Sequence, residues 1–191
     1  MLTRTVLALA LAVRVYDNTG LPSADRAAAL AVADDILKQA GIAVLWRGGE
    51  DERDTVPEVI LRIVAASPQT PAGSLGSSLV DVERRAGTLA TVFSDRVAAL
   101  AALAGTDTSL LLGRAMAHEV GHLLVGTTRH ADHGLMRSLW TSIELQRDSP
   151  WDWTLSREDV SKMRRGLVAR TRRPEPPGVH AAERKPLPAG S

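Results

Sequence analysis

Apolar positions along the chain change period several times, and each change predicts a boundary between elements. An apolar run from Val6 to Val13 leads into the alternating Val13-Arg14-Val15-Tyr16, which reads as a strand ending in the turn Asp17-Asn18-Thr19-Gly20. Behind Ser23-Ala24-Asp25, the residues Ala27, Leu30, Ala31, Ala33, Ile36, Leu37 and Ala40 recur at helical spacing, and Gly41 stops the helix. Ile42 to Trp46 is a short strand closed by the turn Arg47-Gly48-Gly49, and the acidic stretch Glu50 to Asp54 is a loop that Pro57 helps to close. Val59 to Val64, rich in Val and Ile, reads as a buried strand. The opening is therefore β-α-β-β. Ala66 to Ser78 carries Pro, Gly and Ser and reads as an exposed connection, with a short edge strand at Leu75 to Val80. A further strand follows at Gly87 to Phe93, then a short helix at Asp95 to Leu103. Thr106-Asp107-Thr108-Ser109 offers N-cap residues for a strongly apolar helix that runs to Val125 and ends at Gly126. A polar loop comes next, and a last helix runs from Ser156-Arg157-Glu158-Asp159 to Ala169.

Composition narrows the picture. With 191 residues and 45% apolar content, the chain supports one core, expected over residues 13–170. Only six residues are aromatic, so that core is mainly Leu, Val, Ile and Ala. A formal charge of +1 supplies no field of the kind that holds nucleic acid or anionic lipid. No cysteine is present, which removes disulfides, thiolate nucleophiles and every Cys-based metal site, so a metal here is held by His, Asp or Glu. Residues 171–191 are rich in Pro, Gly and charge and read as a disordered tail. The first 12 residues read either as a secretory leader with a small-residue site at Ala10-Leu11-Ala12 or as an extension of the first strand. The apolar run is too short to span a bilayer, so no stable membrane insertion is expected. The leader reading places the protein outside the cytoplasm, secreted or periplasmic, the alternative is a cytoplasmic protein that keeps residues 1–12, and a monomer is expected.

Four of the five histidines, His118, His122, His130 and His133, fall within 16 consecutive residues. His118-Glu119-Val120-Gly121-His122 lies inside the apolar helix. At about 100° per residue, His118 and His122 stand one turn apart and about 40° off in azimuth, so both imidazoles reach one point beside the helix. Glu119 is about 60° from His122 on the same wheel, close enough to approach a metal-bound water without being a ligand. In this arrangement two neutral imidazoles bind zinc and the carboxylate takes a proton from the attacking water. Catalytic zinc takes three protein ligands. Gly126 lets the chain turn back, and Thr127 to His133 offers His130 first, with His133 and Asp132 as alternatives.

The stretch HEVGHLLVGTTRHADHGLM resembles the signature of the metzincin metallopeptidases, a group that includes matrix metalloproteinases, astacins and archaemetzincins. There H-E-x-x-H is followed by x-x-G-x-x-H and a tight methionine-bearing turn. The resemblance makes His118, His122 and His130 zinc ligands, Glu119 the general base, Gly126 the helix-ending glycine and Met136 the turn methionine. Gly126 stands one residue later than the family pattern and His130 two residues later. Small bacterial proteins of the form HE-[IV]-GHLL-x-G-x-x-x-H-x-x-x-G-[IL]-M are more similar still. The resemblance implies an α+β zincin fold with a mixed β-sheet, an active-site helix and a C-terminal helix, and a zinc peptidase acting on a peptide or protein substrate. The peptide is expected to lie along the edge strand at Leu75 to Val80. No tyrosine follows Met136, and Arg137 is either a substitute that supports the oxyanion or a surface arginine. Trp140, Trp151 and Trp153 either wall a pocket or pack the C-terminal helix. The rival reading is a catalytically inactive zinc-containing module that binds peptide without cutting it.

Overall fold

Strands and helices follow one another largely in the order that the apolar periodicity predicts, in a computed structural model that describes residues 9–49 and 56–171. β1 (Leu9–Asp17) pairs in parallel with β2 (Ile42–Gly48) on one side and β3 (Glu58–Val64) on the other, and helix α1 (Ser23–Gln39) connects β1 to β2. β3 pairs in parallel with β5 (Ala86–Phe93), whose far side takes β4 (Gly76–Asp81) antiparallel. The sheet order is β2-β1-β3-β5-β4, so β4 is an edge and the sheet is mixed, as expected.

Burial follows a period of two in β3 and along much of β5, whereas Leu11 to Arg14 of the central strand β1 are buried on both faces. Leu11 and Val13, Val59, Leu61 and Ile63, and Ala90 and Val92 lie on one face at 1% exposure or less. That face meets a layer of helices in which α1 packs on α3 (Thr108–Val125) and α3 on β5 and β4. The strand at Val59 to Val64 was expected to be buried throughout. Instead Arg62 is exposed and Ile60 half-buried, because the described helices cover only one face. On the opposite face Arg14 bonds Glu58 (Nη2 to Oε2, 2.9 Å) and donates to the Gly49 carbonyl at 2.8 Å. Leu9 to Ala12 pair with Ile42 to Leu45, so the second half of the leader-like segment forms the start of β1, while residues 1–8 lie outside the described residues.

Helix α3 runs through the centre, with 15 of its 18 residues buried. Asp107 caps its start by accepting from the Leu110 N–H at 2.8 Å. At its end Gly126 has φ +73°, and a Cβ there would lie 2.5 Å from the Arg85 carbonyl carbon and oxygen, so only glycine both turns the chain and clears β5's hairpin. α2 (Ser94–Ala104) fills the expected short helix, and α5 (Arg157–Thr171) is the C-terminal helix, packed on α3. The segment read as a polar loop instead holds α4 (Ser142–Arg147), set by a reciprocal Thr141–Glu144 capping box, and a 3₁₀ turn at Pro150–Trp153. The tail expected at 171–191 lies, after Thr171, outside the described residues. Among the described residues no helix is long and apolar enough to cross a membrane.

Candidate metal centre and cleft

Helical spacing puts His118 and His122 on one side of α3, at 7% and 4% exposure. The irregular chain after Gly126 then supplies what the helix lacks. The His118 Nδ1–H donates to the Leu135 carbonyl at 2.8 Å, and the His122 Nδ1–H donates to the Thr127 carbonyl at 2.8 Å. A carbonyl only accepts, so each Nδ1 carries the proton and each Nε2 is left with a bare lone pair. Those two Nε2 atoms stand 3.0 Å apart. His130, carried back by the return segment, stacks against His118 with centroids 5.4 Å apart and meets His122 edge-on at 4.8 Å. One ring nitrogen of each of the three lies within 4.8 Å of the others.

Electrostatics favours the ligand form of these rings. Burial, reinforced by the neighbouring His122, pushes the His118 pKa down to about 3. Burial lowers the His122 and His130 values as well. Facing lone pairs on neutral rings repel, and a proton between them is disfavoured by that burial. A divalent cation resolves the conflict: two nitrogens each about 2.0–2.1 Å from a tetrahedral ion are about 3.3 Å apart, close to the separation here. The donor set thus fits a metal, with carbonyl bonds orienting two of its three rings. His133 and Asp132, the alternative third ligands, are exposed and stand outside this group.

Glu119 lies beside the imidazoles at 6% exposure, and burial pushes its pKa up to about 7 against the lowering effect of its bond from Ser78. The Ser78 hydroxyl, on β4, is 2.6 Å from Glu119 Oε2 and 2.8 Å from the Glu119 backbone carbonyl. Sequence reasoning missed Ser78, since a serine in a Gly/Ser-rich stretch carries no signal of what it faces. A cleft of about 490 Å³ opens over the centre, with residues 72–78 along one wall, 137–140 along the other, and His118, Glu119 and His122 at its floor.

The return segment closes underneath. Gly134 (φ +73°) begins a tight turn in which the Arg137 N–H reaches the Gly134 carbonyl at 3.4 Å and the Ala131 N–H donates to Met136 at 2.9 Å. Met136 is buried against Gly121, where a Cβ would sit 2.7 Å from its sulfur. Arg137 is no surface residue: at 8% exposure it donates to the Gly134 carbonyl at 2.9 Å, the Asp152 carbonyl at 2.6 Å and the Leu139 carbonyl at 3.1 Å, tying this segment together. The three tryptophans divide. Trp140 meets His118 edge-on at 5.5 Å and lines the cleft, Trp153 lies beneath the Arg114 guanidinium at 3.9 Å, and Trp151 is 82% exposed.

No family model matches the chain, and no curated protein matches it. Among solved structures, the archaemetzincin from Methanopyrus kandleri is similar, with a TM-score of 0.55 at 15% identity over 87% of this chain and 99% of that one. The shared property is the fold: a five-stranded, mainly parallel sheet with its helices.

Proposed function

We infer that the chain is a zinc-dependent peptidase, with His118, His122 and His130 holding the ion and Glu119 serving as general base. The observation that carries this reading is the convergence of three neutral imidazoles, two of them with Nε2 atoms 3.0 Å apart and Nδ1 atoms tied to carbonyls. Zinc bound there supplies an acidified water and a Lewis acid for a substrate carbonyl. Everything else is the work of the chain. Glu119 borders the cleft floor, where it takes the proton of the attacking water and passes it to the leaving amine. The edge of β4 not paired with β5 offers backbone groups to an extended peptide, which supports a peptide rather than a small-molecule substrate. Trp140 fixes the His118 ring from the side. Met136, packed against Gly121 between the two helical imidazoles in sequence, forms an apolar support for this part of the helix.

The test is metal content of the purified protein together with a broad peptide-library digest, run beside Glu119→Gln. The expected outcome is one zinc per chain in both proteins, with turnover in the native protein and a loss of at least about 100-fold in the variant. Zinc without turnover in the native protein favours the non-cutting peptide-binding module, and turnover retained by Glu119→Gln removes Glu119 from the role of base.

A further inference from the structure

Glu119, on the floor of the cleft, takes its side-chain hydrogen bond from β4, in the wall formed by residues 72–78. On β4 the positions alternate: Ser77 and Leu79 are exposed, whereas Gly76 and Ser78 are half-buried and turn toward α3. Both inward positions meet the same side chain. The Ser78 hydroxyl lies 2.6 Å from Oε2, and a Cβ on Gly76 would lie 2.6 Å from Oε1 and 2.7 Å from Cγ. A bond holds one carboxylate oxygen, and the missing side chain leaves room for the other.

We propose that Ser78, with Gly76 two residues before it, positions the Glu119 carboxylate, so that the strand that receives the peptide also sets the orientation of the base; this rests on the peptidase reading above. Ser78 is a positioning residue, since it acts through Glu119. Its hydroxyl has a second acceptor in the Glu119 backbone carbonyl at 2.8 Å. With the carboxylate, the hydroxyl donates to Oε2. Oε1 is then left to face the water. Substrate pairing along β4 stiffens the strand and with it this bond, which couples occupancy of the cleft to the aim of the base.

The test uses the metal-loaded protein on whichever library peptide it cleaves. Ser78→Ala is expected to lower kcat at least about 10-fold, with KM within about 2-fold and zinc content unchanged, because a misaimed base costs rate and not binding. Ser78→Thr, which keeps the hydroxyl on a strand-compatible side chain, is expected to restore most of the rate. A readout independent of activity is a double-mutant cycle in metal-free protein: Ser78→Ala shifts the urea midpoint in the native background, and that shift is smaller in a Glu119→Ala background, where only the bond to the backbone carbonyl is left to lose. Equal midpoint shifts in the two backgrounds overturn the proposal, since the groups then do not interact. An active native protein whose Ser78→Ala variant keeps kcat within 2-fold overturns the positioning role alone. A zinc-loaded native protein that cleaves nothing overturns the peptidase reading, and the positioning role with it.

Discussion

The centre has two halves built on different principles. Helix α3 contributes His118, Glu119 and His122, each at 7% exposure or less, inside an element that packs on all sides. The return segment contributes His130, which is exposed, and the carbonyls of Thr127 and Leu135, which bond the helical imidazoles. In the helix the period places side chains, because rise and twist leave no other option for residues four apart. In the return segment nothing periodic acts, and placement follows from one glycine, one tight turn and a buried arginine. The difference is one of roles: the regular half supplies atoms, and the irregular half aims them.

That division sets an order of effects on metal binding. His122→Ala removes a buried ligand that is itself held by Thr127, and is expected to abolish stoichiometric zinc. Sharing the about 10–16 kcal/mol of apparent zinc affinity of a four-ligand structural site among its ligands gives roughly 2.5–4 kcal/mol each, on the order of 10²–10³-fold. Chelator competition at neutral pH measures it, and zinc retained at full affinity breaks the assignment.

His130→Ala sharpens the comparison. Its ring is exposed and, among the described residues, no carbonyl bond orients it, so its removal is expected to cost about 10²-fold in affinity, the lower end of that range, and to leave the metal-free protein as stable as before. His133→Ala, three residues on and outside the group, is expected to change affinity less than about 3-fold. The reverse order in the same assay moves the third ligand to His133.

The same contrast explains what could be read from the residues alone. H-E-x-x-H on an apolar helix needs only helical spacing to bring two imidazoles and a carboxylate together, and Gly126 needs only its position to end that helix. His130 stands first among His130, His133 and Asp132 in the sequence because a turn of unknown path leaves several residues within reach; the fold brings the His130 ring beside His118 and His122 and leaves His133 and Asp132 outside that group. Ser78 was not legible at all. Its partner is 41 residues away, and which face of an edge strand meets a helix depends on a register that the local pattern does not specify. The exposed Arg62 has the same origin: Val and Ile mark a strand but not how many of its faces are covered. α4 escaped notice because six residues are too few for a period, although Thr141 and Glu144 form a capping pair three apart.

A separate expected effect is a pH dependence in the metal-free protein, where the buried imidazoles and the Glu119 carboxylate pull in opposite directions. Burial lowers His118 from 6.5 to about 3, so between those values the unfolded chain binds a proton that the folded chain refuses, and stability falls as pH drops through that window. His122 and His130, also lowered, act in the same sense. Burial raises Glu119 from 4.5 to about 7, so between those values the folded chain holds a proton that the unfolded chain has released, and stability rises as pH drops. From about pH 6.5 to 4.5 the Glu119 contribution offsets that of one histidine, so the native protein loses stability less steeply, by up to one proton, than the histidines alone would dictate. Glu119→Gln removes the offset. Its slope is expected to steepen by up to one proton, about 1.4 kcal/mol per pH unit, measured by urea unfolding with chelator at pH 6.5, 5.5 and 4.5. Parallel curves for the two proteins would mean that Glu119 is already ionised in its buried position before any metal arrives, and that the bond from Ser78 outweighs its desolvation.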